Sequence, residues 1–388
     1  MDAFGPLSGL KVIELAHIMA GPACGQFLAD MGADVIKVEK VPGGDDSRRM
    51  VPPEIDGESA AFMILNRNKR GTAINLKSPT GKAVLEKMLA SADVVIENYR
   101  PGTMEGLGMG YETLKVRNPG LIYCQITGFG ATGPYSERAG FDLIGQGISG
   151  LMSVTGEGAG RPPIKAGVPV GDIGAGMLAA MGILAAYIHR LKTGEGQLVD
   201  TSLLEASIVN TSWVSAIFLA TGVSPGALGS AHPLSAPYQA MQTSDGWVNI
   251  GAANQANWLR LLQAVDRPEL NEDARFATNS ARMQNLPELI EILSQSFTRY
   301  STAEWLQRLE AVGVPAGPVL SIGDMLKDPQ VLARDMVVEV EHSRLGPVKT
   351  LGSPIKFSHT PTAIRRGSPM LGEHSREILG EYGYSDSE

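Results

Sequence analysis

The spacing of apolar runs over the first 130 residues most constrains what this chain can fold into. Lys11-Val-Ile-Glu-Leu15 is a short apolar run, residues 20–31 have helical composition with Gly32 as a stop, and 34–38 is a second apolar run. Strand, helix and strand within about thirty residues make a βαβ unit, which requires parallel pairing and a right-handed crossover. The alternation continues with strands expected at 72–76, 93–97 and 121–127 and a helix at 80–91. An open α/β sheet with helices on both faces follows, with ligands expected beyond the carboxyl ends of the strands.

Further on, the pattern predicts a helix at 143–152, a turn-rich loop at 156–163, a short strand ending near Thr201 and one helix over 202–221. Composition shifts at the Gly- and Pro-rich stretch 222–233, which reads as a linker. Beyond it lie a strand at 247–251, amphipathic helices at 256–265 and 288–300, and a capping box at Ser301-Thr-Ala-Glu304. At 388 residues the chain exceeds what one core normally serves. A second, smaller domain is therefore expected, and the tail returns to strand and helix after it.

The net charge of -8 argues against a nucleic-acid partner. The N-terminus lacks the charged-then-apolar pattern of a signal peptide. The uncharged run between Asp172 and His189 falls short of the roughly 18 residues a membrane span needs, so a buried helix is expected. Two cysteines, Cys24 and Cys124, fit a reducing, cytoplasmic setting. The His residues are scattered without metal-ligand spacing, so no metal site is expected.

The strand-end loops carry the chemistry. His17-Ile-Met-Ala-Gly-Pro22, Glu39-Lys40 with the following 43–49, Asn66-Arg-Asn-Lys-Arg70 and Asn98-Tyr-Arg-Pro-Gly102 gather cations and amides in an acidic chain. That combination suits a polyanionic phosphate ligand. Gly128-Phe-Gly-Ala-Thr-Gly133 has dinucleotide-motif spacing, but Pro134, Tyr135 and Ser136 follow instead of a helix, and a glycine-rich turn is expected. Gly171-Asp172-Ile-Gly174 precedes the most apolar helical stretch. Asp172 is there either as a helix N-cap or as a carboxylate kept ionised for nucleophilic attack.

Those motifs, with Leu7–Leu15, Lys192–Gln197 and Leu371-Gly-Glu-His374, resemble the class III CoA-transferases, the CaiB/BaiF type, across nearly the whole chain. The resemblance implies an interlaced homodimer. Each subunit would have a large Rossmann-like domain (1–221, completed by 331–388) and a small α+β domain (222–330). It also implies that Asp172 is the covalent nucleophile, passing through acyl-aspartyl anhydride and aspartyl-CoA thioester intermediates. Coenzyme A and its acyl thioester would be substrates rather than a resident cofactor. The implied CoA contacts are His17, Met19 and Ala20 at the thiol end, with Lys40, Asn66, Arg67, Asn68, Lys69, Asn98, Tyr99 and Arg100. Phe141 and Asp142 would lie beside the nucleophile. Met19 replaces a family glutamine, and Gly106 stands where formyl-CoA transferase has an arginine.

The related α-methylacyl-CoA racemases carry a histidine where this chain has Phe141, and a phenyl ring cannot move a proton. The stretch 229–239 lacks the tetraglycine loop of formyl-CoA:oxalate transfer and looks more like members acting on succinyl-CoA and dicarboxylic acids. On that reading His232 is either a substrate contact or a plain linker histidine, and Arg48, Arg49 or Arg67 is a candidate partner for a distal carboxylate.

Overall fold

The computed structural model describes residues 4–158 and 160–385. Six strands make one parallel sheet: β1 (Lys11–Leu15), β2 (Asp34–Lys40), β3 (Arg70–Ile74), β4 (Val94–Glu97), β5 (Ile122–Thr127) and β6 (Leu198–Ser202). Their spatial order is β3-β2-β1-β4-β5-β6. The order reverses between β1 and β4, so the chain leaves these neighbouring strands toward opposite sides and opens a crevice at their carboxyl ends.

Period-two burial explains the two-sided core. Val12, Val94 and Ile96 face one layer, with Leu28, Ala175, Ala179 and Ile183. Ile13, Leu15 and Val95 face the other, with Leu85, Met88, Leu114 and Ile378. Alternate side chains of a strand point to opposite faces, and here both faces are covered. Helix α1 (Ala20–Asp30) and the long α4 (Val170–Thr193) share the first layer. A Cβ on Gly176 would stand 2.8 Å from the Ala20 carbonyl, so only glycine permits this approach of the two helices. By length and composition α4 could cross a membrane. Packing over the sheet accounts for the buried part of that apolarity, while Met177, Met181, Ile188 and Leu191 remain exposed.

Several elements differ from expectation. The third strand starts at Arg70 rather than Thr72. The stretch 143–152 becomes two helices, α3 (Asp142–Ile148) and the short turn Leu151–Val154. The expected single helix at 202–221 is broken into α5 (Leu203–Asn210) and Ser212–Thr221. In the tail, Val337–His342 and Gly346–Leu351 form a hairpin, and Ser375–Glu381 packs against β3.

The chain divides into two compact units. One contains the parallel sheet and spans the described residues of 1–151, 165–212 and 329–388. The other spans 213–328 with the described residues of 152–164. It therefore begins within the Ser212–Thr221 helix, ahead of the glycine-rich stretch. Its antiparallel sheet joins Ala316–Pro318, Trp247–Gly251 and Tyr238–Gln242, with Trp258, Phe276, Phe297 and Trp305 buried beside it. The capping box at Ser301 and Glu304 is present.

Candidate active site

The crevice between β1 and β4 holds a cavity of about 230 Å³. His17, Met19 and Ala20 line it from the turn after β1, and Asn98, Tyr99 and Arg100 from the turn after β4. Phe141 and Asp172 complete it. The sequence motifs at 17–22, 98–102 and 171–174 thus converge on one pocket at the sheet's switch point.

Asn98 ties the two turns together. The His17 N–H donates to Asn98 Oδ1 at 2.8 Å, and Asn98 Nδ2 donates to the His17 carbonyl at 2.9 Å. Buried Glu97 accepts the Tyr99 N–H at 2.8 Å, and burial pushes its carboxyl up to about 7. The His17 ring packs against Tyr99 with centroids 5.3 Å apart. Burial first, then the Lys37 charge, lowers the His17 pKa, so the imidazole is neutral at pH 7. Its Nδ1 is buried without a hydrogen-bond partner among the described residues.

Asp172 is not the N-cap. Helix α4 starts at Val170, and Pro169 at the cap position makes no side-chain hydrogen bond. Asp142 supplies the missing acceptor: its Oδ1 takes the N–H of Gly171 at 2.8 Å and of Asp172 at 3.2 Å. Those are the donors that a cap side chain normally satisfies. Gln146, fully buried, orients Asp142 by donating from Nε2 to Oδ2 at 2.6 Å, and its Oε1 accepts the Ala166 N–H at 2.9 Å. Gly171 leaves room for this arrangement, since a Cβ there would meet Ser207 Oγ at 2.8 Å and Asp142 Oδ1 at 2.9 Å.

The Asp172 carboxylate has no side-chain hydrogen-bond partner among the described residues and faces the cavity. Burial, followed by repulsion from Asp142, raises its pKa to about 6. The helix N-terminus therefore does not hold this acid in the ordinary carboxylate range, because its nearest N–H groups are already given to Asp142. At pH 7 about nine-tenths of it is still ionised. A poorly solvated carboxylate of raised basicity is a better nucleophile than a solvated one.

Other expected contacts lie elsewhere. Asn66, Arg67 and Lys69 are buried, with Arg67 paired to Asp30 at 2.7 Å and Lys69 to Glu14 at 2.8 Å. Asn68 Nδ2 donates to Asp30 and to the Ala363 carbonyl, both at 2.8 Å. Arg48 forks onto Glu39 at 2.7 and 2.6 Å and lies over the Phe62 ring. These internal acids neutralise Arg48, Arg67 and Lys69. Arg49 pairs with Asp46, and Lys40 reaches the same acid at 2.6 Å with its side chain about half exposed. His232, in the second unit, stacks on Tyr238 with centroids 5.1 Å apart and accepts the Leu234 N–H at Nδ1. Arg138 lines the cavity and was not singled out from sequence; its position three residues before Phe141 was the available signal. The stretch 128–133 bends and leads into a turn at 134–137 rather than a helix, as the residues after it implied.

Strand order and a buried carboxylate lining the switch-point crevice, with a histidine in the same lining, define a Rossmann-type α/β protein with a candidate active site at that point. The chain belongs to CoA-transferase family III, whose sequence profile matches residues 7–375, and it is a CoA-transferase. It is 44% identical to the succinate–glutarate CoA-transferase of Agrobacterium fabrum, over 97% of this chain and 95% of that one. It is 38% identical to the human succinyl-CoA:glutarate CoA-transferase, over 98% and 87%. A solved CaiB/BaiF family protein from Brucella suis superposes with a TM-score of 0.88 at 42% identity, covering 98% of this chain and all of that one.

Proposed function

We propose that this enzyme moves CoA from succinyl-CoA to a dicarboxylic acid through covalent intermediates on Asp172. The observation that carries the reading is the Asp172 carboxylate: unpaired, raised to about 6, and lining the cavity with His17 and the start of α1. In the first step the carboxylate attacks the thioester carbonyl carbon, the C–S bond breaks, and CoA leaves as thiolate beside a mixed acyl-aspartyl anhydride. The thiolate then attacks the Asp172 carbonyl carbon, releasing the donor carboxylate and leaving an aspartyl-CoA thioester. The acceptor carboxylate attacks that thioester to form a new anhydride and free thiolate. Attack of the thiolate on the acceptor's acyl carbon gives the new acyl-CoA and restores Asp172. A thiol of pKa about 8.5 is a competent leaving group for this exchange, and unpaired backbone N–H groups at the start of α1 are suited to the oxyanion.

Relatives named for succinyl-CoA transfer to glutarate, D-citramalate and mesaconate support a dicarboxylate acceptor. With Arg48 and Arg67 committed to internal acids, Arg138 and the exposed Arg100 are the cations we assign to anionic groups of the two substrates. Lys40 is assigned to the adenosine phosphates and His232 to the acceptor. The exposed apolar side chains of α4, with Ile208 and Val209 of α5, suit a second copy of the chain, in keeping with a homodimer.

The test is chemical trapping. Incubation with succinyl-CoA followed by hydroxylamine or borohydride, with peptide mapping by mass spectrometry, is expected to modify Asp172. An adduct at another residue, or none with any thioester, overturns the mechanism. Asp172→Ala is expected to abolish transfer while CoA still binds.

A further inference from the structure

The motif Asn66-Arg-Asn-Lys-Arg70 is absent from the pocket lining, yet Lys69 is tied to the pocket from behind. Its fully buried Nζ donates to the Pro22 carbonyl and to Asn66 Oδ1, both at 2.8 Å, and meets Glu14 Oε2 at 2.8 Å. Lys37, equally buried, donates to the Ala16 carbonyl at 2.8 Å and to Glu14 Oε1 at 2.9 Å, and meets Asp45 Oδ2 at 2.8 Å. Glu14 Oε2 and Asp45 Oδ2 make these contacts as ion pairs, without hydrogen-bond angles. Asp45 Oδ1 accepts the Ile18 N–H at 3.0 Å. Two cations and two anions thus form a neutral buried cluster that bonds to the backbone of 16–22 at three points.

Those points, Ala16, Ile18 and Pro22, alternate with and bracket His17, Met19 and Ala20, which line the cavity. Ile18 sits at φ 65°, a left-handed conformation that a β-branched residue rarely takes unless its surroundings hold it. Stability alone is a weak reason for such a cluster, since apolar residues of similar volume often replace buried ion pairs without loss. The geometry it imposes is the better reason.

We infer that Lys37, Asp45 and Lys69 are positioning residues, whose buried cluster fixes the 16–22 backbone and so sets His17 and the start of α1 against Asp172. This rests on the CoA-transferase mechanism proposed above. The cluster acts on the thioester end of the substrate, while Lys40 and Arg100 serve the phosphates. Loosening it therefore lowers kcat more than it raises the KM for acyl-CoA.

The test compares Lys69→Met and Asp45→Asn with Arg67→Met. Arg67 belongs to the same segment and is also buried in an ion pair, but its partner Asp30 ends α1 and its guanidinium makes no bond to 16–22. All three variants are expected to lose thermal stability. Lys69→Met and Asp45→Asn should lower kcat by on the order of ten- to a hundredfold, the scale of a misplacement near 1 Å, whereas Arg67→Met keeps wild-type kcat. Asp45→Asn, isosteric and the milder change, carries the test if Lys69→Met does not fold. Wild-type kcat in the cluster variants, or an equal fall in all three, overturns the inference. Turnover in Asp172→Ala sinks the transferase mechanism instead, so the two failures are distinguishable.

Discussion

Asp172→Asn should make the protein more stable at neutral pH while removing its activity. The side chain keeps its shape and loses its charge, so the cost of holding a carboxylate in a poorly solvated pocket beside Asp142 disappears. A pKa of about 6 against an ordinary 3.8 corresponds to about 3 kcal/mol at most. Partial exposure and relaxation reduce that to about 1–3 kcal/mol. The sign is fixed by linkage: the folded state holds the Asp172 proton more tightly than the unfolded chain, so ionisation destabilises the fold. The penalty is fully present above about pH 6 and fades as pH falls through 6 toward 4. Denaturant unfolding of wild type and variant at pH 7.5 and pH 4.5 checks this. The variant's advantage should be roughly a third as large at the lower pH. An advantage that does not change with pH, or none at pH 7.5, would refute the account of Asp172. The same ionisation sets the acid limb of kcat, which should fall about tenfold per pH unit below about 6.

Gly171→Ala drives a methyl against Asp142 Oδ1 and Ser207 Oγ; we expect a loss of about 1–3 kcal/mol and lower kcat, measured by unfolding and by steady-state turnover. Gln146→Leu leaves Asp142 Oδ2 and the Ala166 N–H without partners; a cost of about 1–3 kcal/mol is expected, and a wild-type unfolding midpoint would contradict it. Met177→Glu with Met181→Glu charges the exposed face of α4; on the proposal that this face pairs two copies, analytical ultracentrifugation finds a wild-type dimer and a monomeric variant, and a variant that sediments like the wild type contradicts it.

Much of the fold was legible because the sheet strands are covered on both faces and must be short, apolar and separated by helix-sized segments. The failures have local causes. Arg70 did not read as a strand residue because its neutralising partners are Asp34, Glu377 and Glu381, two of them over 300 positions away. The break between α5 and the next helix falls at Thr211, in an apolar stretch with no glycine or proline to mark it. The sequence offered no reason to divide it.

The site was legible by position and misleading by charge. Strand-end turns after β1 and β4 converge as topology requires, whatever their side chains do. A cation in such a turn, however, can point outward to a ligand or inward to an acid, and composition does not distinguish the two. Arg48, Arg67 and Lys69 turn inward because Glu39, Asp30 and Glu14 wait for them on β2, α1 and β1. The cap of α4 was hidden for the same reason, since its acceptor, Asp142, lies on a different helix. That displacement has a chemical consequence. With the cap donors satisfied by Asp142, no hydrogen bond from them offsets the burial and the Asp142 charge that raise the pKa of Asp172. The helix start that looked like a means of keeping Asp172 charged is instead arranged to leave it more basic, the property that the proposed attack on a thioester requires.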